Sequence, residues 1–351
     1  MKKKDILSLT FEELQSEIEA LGEKKFRASQ IYKWLHCDTV KDFDEMTNLS
    51  RQLRDKLTDN YYIAPAQIEK KLVSSLDSTI KYLFKLRDGE YIESVIMKYK
   101  YGYTICVSSQ VGCKMGCKFC ASTLNGVVRN LTASEILAQI YEAQRDNCIK
   151  ISHVVLMGMG EPLDNFDNVI RFISLITDEK GQDMSMRHIS LSTCGLVPKI
   201  YELMKKELQL TLSVSLHAPN DEIRSSMMPV NKKYPISELL KACRQYTDLT
   251  HRRISFEYAM VKGVNDSPAC AEELAKRLKG ILCHVNLIPV NEVKETGCKR
   301  SSKSAIAEFS QILSSRGYAV TVRRELGSDI NASCGQLRRN TEKNFNREVT
   351  E

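Results

Sequence analysis

The sequence predicts an α/β fold: a partial, open (β/α)6 barrel preceded by a small N-terminal helical domain and a β-hairpin extension. Two observations carry this. From about residue 99, short β-rich runs alternate with longer amphipathic stretches, and repeated βα units imply a parallel sheet. Six such units are too few to close a full eight-stranded barrel.

The elements follow in order. Thr10-Phe11-Glu12-Glu13 is a capping box, and Phe11, Leu14, Ile18 and Leu21 then recur at helical spacing until Gly22. A second helix holds Phe26, Ile31, Trp34 and Leu35, and a third Leu49, Leu53 and Leu57. These helices make a lysine- and arginine-rich module over 1–65. Asp88-Gly89, between the β-rich runs 81–86 and 91–97, predicts a hairpin within 66–98, with Glu93 on its second strand. The barrel occupies 99–338, with strands at 103–108, 153–157, 188–193, 210–216, 254–260 and 284–289. Helices are expected at 133–145, 169–176, 197–205, 236–246, 270–278 and 304–316, with a closing strand at 319–323. Residues 339–351 form a polar tail.

With 351 residues and 42% hydrophobic content, the chain can bury one large core plus an appendage. Apolar runs such as Val154–Met157 fall far short of the roughly 20 residues that span a bilayer. Met1-Lys2-Lys3-Lys4-Asp5 leads into a charged helix and not an apolar signal core, so a cytoplasmic protein with no membrane partner is expected. The net charge of +7 permits an anionic partner without demanding one. Twelve cysteines in a long chain suit a metal site better than a disulfide scaffold.

Cys113, Cys117 and Cys120 follow directly on the first barrel strand. Three thiolates this close can hold three irons of a cubane and leave the fourth open for catalysis. The competing reading is a structural zinc knot. That site would need a second C-x₂-C pair or two histidines, and neither follows. At the strand ends lie Gly158, Gly160 and Glu161, then Ser192, then Ser215-Leu216-His217, and after the sixth strand Asn291. Polar residues there line the mouth of such barrels, although each alone can serve as a helix cap.

The C-x₃-C-x₂-C pattern, with Phe119 before its last cysteine, resembles the radical SAM superfamily. The resemblance implies a radical SAM barrel and a [4Fe–4S] cluster on Cys113, Cys117 and Cys120, whose open iron binds S-adenosylmethionine (SAM). It also implies SAM contacts from Gly160, Glu161, Ser192, Ser215, Leu216, His217 and Asn291. A closer resemblance, to the RlmN/Cfr family of ribosomal RNA adenine methyltransferases, rests on Cys106–Cys113, Met157–Leu163, Ser192-Thr193, Ser215–Asn220, Pro229–Tyr234, Gly263–Asp266, Asn286–Pro289 and Asp329–Leu337. Val111, Pro162 and Leu287-Ile288-Pro289 match the branch that methylates carbon 2 of adenine. The carbon-8 branch tends to carry cysteine, alanine and Ile-Ile-Arg there. Cys194 and Val290 stand where many members carry serine and an aromatic.

This family likeness implies that Cys334 carries a methyl group taken from SAM. Cys106 resolves the RNA adduct by forming a disulfide with Cys334, and Glu93 takes the carbon-2 proton. It further implies 23S ribosomal RNA and transfer RNA as substrates, an external electron donor such as flavodoxin, and a monomer. The helical module would be the family's RNA-binding accessory domain. Lys98, Lys100, Lys114, Lys118, Arg129, Arg323 and Arg324 are candidates to steer the phosphate backbone. The seven remaining cysteines are read as ordinary residues. The alternatives are a carbon-8 enzyme conferring ribosomal antibiotic resistance, a zinc- or redox-dependent RNA-binding protein, and a radical enzyme acting on a peptide or small molecule.

Overall fold

The computed structural model describes residues 3–64, 66–291 and 295–337, so the expected polar tail lies outside the described residues. The N-terminal module holds β1 (Lys4–Asp5), α1 (Phe11–Ala20), α2 (Phe26–His36), α3 (Arg51–Asn60) and β2 (Tyr61–Tyr62), with β1 and β2 paired in parallel. Both halves of the capping box form at α1. Glu13 N–H donates to Thr10 Oγ1, and Thr10 N–H donates to Glu13 Oε2 at 2.9 Å. Phe11, Leu14 and Ile18 pack inward, and the module docks on the barrel through Tyr32, whose hydroxyl donates to Asp178 at 2.9 Å.

The sheet begins with β3 (Gln67–Val73), β4 (Ile80–Lys85), β5 (Tyr91–Tyr99) and β6 (Gly102–Cys106). The expected hairpin is β4–β5, turning at Asp88-Gly89. It is no separate appendage, because β5 pairs antiparallel with β6 and so joins the hairpin to the barrel sheet. Val95 lies opposite Cys106 in that register. Directly opposed residues share a face, and alternation puts Glu93 on the same face two residues along.

The short hairpin β7 (Gln110–Gly112) and β8 (Val127–Asn130) brackets the cysteine loop. Then the βα units run as α4 (Ala133–Asn147), β9 (Ile151–Leu156), α5 (Phe166–Ile176), β10 (Ile189–Thr193), α6 (Val197–Met204), β11 (Thr211–Ser215), α7 (Asp221–Met227), α8 (Ile236–Thr250), β12 (Ile254–Met260), α9 (Pro268–Leu278), β13 (Cys283–Pro289), α10 (Lys303–Ser315) and β14 (Ala319–Val322). Among the described residues the main sheet has ten strands, ordered β14-β13-β12-β11-β10-β9-β6-β5-β4-β3. All pairs from β6 to β14 are parallel, as the βα repeat predicts. Among the described residues no helix is long and apolar enough to cross a membrane.

Gly112 ends β7 with φ +77°, and a Cβ there would lie 2.0 Å from the carbonyl oxygen of Gly126. That same oxygen accepts the Cys113 N–H at 2.9 Å, so the hairpin closes on the cysteine loop only because residue 112 has no side chain. Gly112→Ala is expected to destabilise the protein by about 2–4 kcal/mol, the left-handed penalty plus overpacking. Denaturant unfolding measures this, and an unchanged midpoint would contradict the close approach.

Candidate active site

The C-terminal ends of the parallel strands surround a cavity of about 160 Å³. Cys113, Cys117 and Cys120 form one wall. Gly160, Glu161, Ser192, Ser215, His217 and Asn291 form the others, together with Cys334. Around this cavity and the chamber adjoining it the structure thus gathers the sequence-predicted residues from loops and strands far apart in the chain, with two exceptions, Leu216 and Glu93. Leu216 turns its side chain into the hydrophobic core and reaches its surroundings only through its backbone, whose N–H donates to Glu257 O at 3.1 Å. The cause is the alternation that sends Ser215 and His217 inward.

The cysteine loop is held from several sides. Lys118 N–H donates to Met227 O at 2.9 Å and Cys120 N–H to Cys117 O at 3.1 Å. Burial raises all three thiols, Cys113 to about 12, and the three are close enough for negative charge on one to raise another further. Without metal the loop therefore presents protonated thiols, and metal binding must release their protons. The three thiols share one wall of the cavity, which suits a cubane in which each thiolate takes its own iron.

Glu161 is buried, and its oxygens accept the N–H groups of Leu163 at 3.1 Å and Cys194 at 2.7 Å. Burial raises its carboxyl, and these hydrogen bonds act against that. Gly160 has φ +104°, and a Cβ there would sit 2.6 Å from Gln110 Cβ. His217, itself left-handed at φ +57°, accepts the Ala259 N–H on Nδ1 at 2.8 Å. Burial lowers its imidazole to about 3, so the ring is neutral and its proton sits on Nε2. Sequence reasoning missed Arg224, wholly buried on α7. Its guanidinium donates to the carbonyls of Cys194 at 2.7 Å, Leu216 at 3.1 Å and Ser215 at 3.1 Å, tying two strand ends together.

A second chamber adjoins the first and is lined by Cys106, Cys120, Asn291, Arg323 and Cys334. Cys106 and Cys334 are free thiols. Burial raises Cys106 to about 12, and nearby Cys334 adds to the shift. The Cys334 segment is pinned to the cysteine loop. Asn291 Nδ2 donates to Cys334 O at 2.9 Å, Ala121 N–H to Gly335 O at 2.7 Å, and Ser122 Oγ to Leu337 O at 2.6 Å.

The second exception, Glu93, lines neither chamber. It is wholly buried in an ion pair with Lys81, 3.1 Å away. Its strand face continues into the chamber wall through Val95, Met97 and Tyr99.

Arg323 corrects a sequence expectation. It was a candidate for the phosphate-facing surface, but it lies inside the barrel, 3.9 Å from Glu257 and close to both cysteines, which raise its guanidinium. The reason is that Arg323 N–H continues the β13–β14 pairing to Leu287 O at 2.8 Å, which draws the residue inward. Glu257, also missed, lines the first cavity and accepts Asn286 Nδ2 at 2.8 Å. Lys114 and Arg129 are engaged by Asp164 at 2.8 Å and by Asp88 and Glu135 at 2.6 and 2.7 Å. Lys98, Lys100, Lys118 and Arg324 are exposed.

Comparison with known proteins follows the same lines. Residues 4–63 match the family described as "Ribosomal RNA large subunit methyltransferase N-terminal domain" and residues 107–276 the "Radical SAM superfamily". A protein of Clostridium novyi described as "Probable dual-specificity RNA methyltransferase RlmN" is 57% identical, over 96% of this chain and 98% of its own length. One of the same description from Alkaliphilus oremlandii is 56% identical, over 97% and 98%. The crystal structure of a radical SAM methyltransferase from Sphaerobacter thermophilus superposes with a TM-score of 0.92 at 44% identity, over 95% of this chain and 99% of that one.

A cluster on Cys113, Cys117 and Cys120 requires about four irons per chain in anaerobically prepared protein. Cys117→Ala should lose most of that iron. Zinc as the sole bound metal would contradict the assignment.

Proposed function

This chain belongs to the RlmN family of radical SAM RNA methyltransferases, and we propose from that premise that it methylates carbon 2 of adenine by way of a methylated cysteine and two SAM molecules. The RNA targets we assign are an adenine of 23S ribosomal RNA, in the peptidyl transferase centre, and the adenine 3′ of the anticodon in transfer RNAs. The observation that carries the reading is the pairing of Cys106 and Cys334 in one chamber, adjoining the cysteine loop. A radical enzyme that only abstracts hydrogen needs neither thiol.

Cys113, Cys117 and Cys120 would hold the [4Fe–4S] cluster. Gly160, Glu161, Ser192, Ser215, His217 and Asn291 would hold SAM, with Leu216 contributing through its backbone alone. When bound, these groups supply a methyl group and, from a second SAM, the 5′-deoxyadenosyl radical that removes a hydrogen atom from it. The route matters because carbon 2 of adenine is electron-poor and is no nucleophile for ordinary SAM methylation.

Every other step falls to the chain. Cys334 holds the methyl group, and the hydrogen bonds to its loop from Asn291, Ala121 and Ser122 keep it beside the cluster loop. Once the methylene carbon is bonded to carbon 2, Glu93 takes the proton from that carbon and the adduct's unpaired electron passes to the external one-electron carrier. Cys106 then attacks the Cys334 sulfur: the S–S bond forms as the S–CH2 bond breaks, the bond pair stays on the methylene carbon, and that carbon takes a proton to become the methyl group of the freed base. The high position of the Cys106 thiol means that it must lose its proton first, and Arg323 in the same chamber favours the thiolate.

RNA reaches the chamber only if the adenine leaves its stack. Exposed Lys98, Lys100, Lys118 and Arg324, with the basic helical module, would attract the backbone. An external donor such as flavodoxin would supply electrons, and the enzyme would work as a cytoplasmic monomer.

The two cysteines should fail differently. Cys334→Ala lacks the carrier and forms neither methylated protein nor RNA adduct. Cys106→Ala keeps the carrier and should trap RNA covalently on Cys334, seen as a nuclease-sensitive mass increase on that peptide. Loss of activity with no adduct in either variant would refute the division of labour. Glu93→Gln should still methylate Cys334 but stall with RNA attached, and wild-type turnover would remove Glu93 from the mechanism.

A further inference from the structure

Glu93 is a carboxylate inside the barrel wall, where an isolated anion is costly to keep. A charge partner is Lys81, on the neighbouring strand β4. Strand register sets Leu83 opposite Glu93, which puts Lys81 one diagonal step away on the same face. The side chains meet at 3.1 Å and are 1% and 0% exposed, so solvent screens the pair little. Lys81 has a second bond that matters as much. Its Nζ donates to the backbone carbonyl of Asn331 at 3.2 Å. Asn331 lies three residues before Cys334, in the left-handed conformation at φ 49°.

The same segment is fastened to the β3–β4 turn by other groups. Asp329 accepts Ser74 Oγ at 2.7 Å and Ser75 N–H at 2.9 Å, and Asp77 accepts Gly327 N–H at 2.8 Å. These contacts lie at the surface end of the strands. Lys81 makes the corresponding contact inside, where it touches the carboxylate and the loop at once.

We propose that Lys81 is a positioning residue for the proton-removal step, keeping Glu93 an anion within the wall and fastening it to the loop that carries Cys334. This inference rests on the reading of Glu93 as the base. In the step, the proton of adenine carbon 2 passes to a Glu93 oxygen while the electron pair of the broken C–H bond stays in the ring. Lys81 donates no proton to the substrate and touches none of its atoms. Its charge decides whether the carboxylate can accept, and its bond to Asn331 decides where that carboxylate stands relative to the Cys334 sulfur.

The test uses the full-length, cluster-loaded enzyme with an RNA substrate and compares Lys81→Met, Lys81→Arg and the double variant Lys81→Met/Glu93→Gln with Glu93→Gln alone. Lys81→Met should load iron and methylate Cys334 like the wild type. It should then accumulate the RNA–Cys334 adduct and release methylated adenine at least about 100-fold more slowly, the low end of what a positioned general base contributes. Lys81→Arg, which keeps the charge, should recover most of the release rate. The double variant removes both charges, so it should fold even if a lone buried carboxylate destabilises Lys81→Met, and it should stall no worse than Glu93→Gln alone. Wild-type release from Lys81→Met would overturn the proposal, and so would Lys81→Arg as slow as Lys81→Met. Loss of Cys334 methylation in both Lys81→Met and the double variant would overturn it too, since Lys81 would then serve the fold alone. If Glu93→Gln turns over like the wild type, it is the reading of Glu93 as base that falls.

Discussion

The arrangement of the site depends on one set of hydrogen bonds, those that fasten the Cys334 segment to the cysteine loop. Gly335 O accepts the N–H of Ala121, the residue after Cys120, and Leu337 O accepts the hydroxyl of Ser122. Asn291 closes the set from the end of β13 by donating to Cys334 O. The segment belongs to no strand or helix of its own around Cys334, so its backbone groups are satisfied within the segment, by Lys81 and by these bonds to the cysteine loop. A thiol some 200 residues downstream is thereby built into the wall of a chamber whose other side is the first barrel strand.

Around that join, burial sets the electrostatics. Cys106, Cys113, Cys117 and Cys120 are all raised by desolvation. Low dielectric disfavours their thiolates until a cation arrives. For the loop cysteines the proposed cation is cluster iron, and for Cys106 the Arg323 guanidinium stands in the same chamber. Behind the chamber, Glu93 and Lys81 are buried together, so each buried charge has an opposite charge 3.1 Å away.

Much of this was legible in the sequence. The capping box at Thr10 and the βα alternation are local signals and appear where expected. Ser192, Ser215 and His217 were readable as cavity residues because the phase of a strand fixes which residues reach its C-terminal mouth. What escaped depends on register between distant segments. Lys81 reads as an ordinary strand lysine until β4 is paired with β5. Arg323 looks like a surface cation until β14 is laid on β13, and Arg224 sits on a seven-residue helix too short to show a period. The strand β3 was missed because its residues are half or fully exposed and carry no apolar alternation. Leu216 was grouped with its neighbours by motif, whereas alternation turns it the other way.

The central claim is the atom that receives the methyl group. Nucleoside mass spectrometry of ribosomal and transfer RNA, from cells with and without the gene, tests it most directly. The account predicts 2-methyladenosine in both RNA pools, lost on deletion and restored by this chain but not by its Cys334→Ala variant. Restoration of 8-methyladenosine instead, or no change in either nucleoside on deletion, would contradict it.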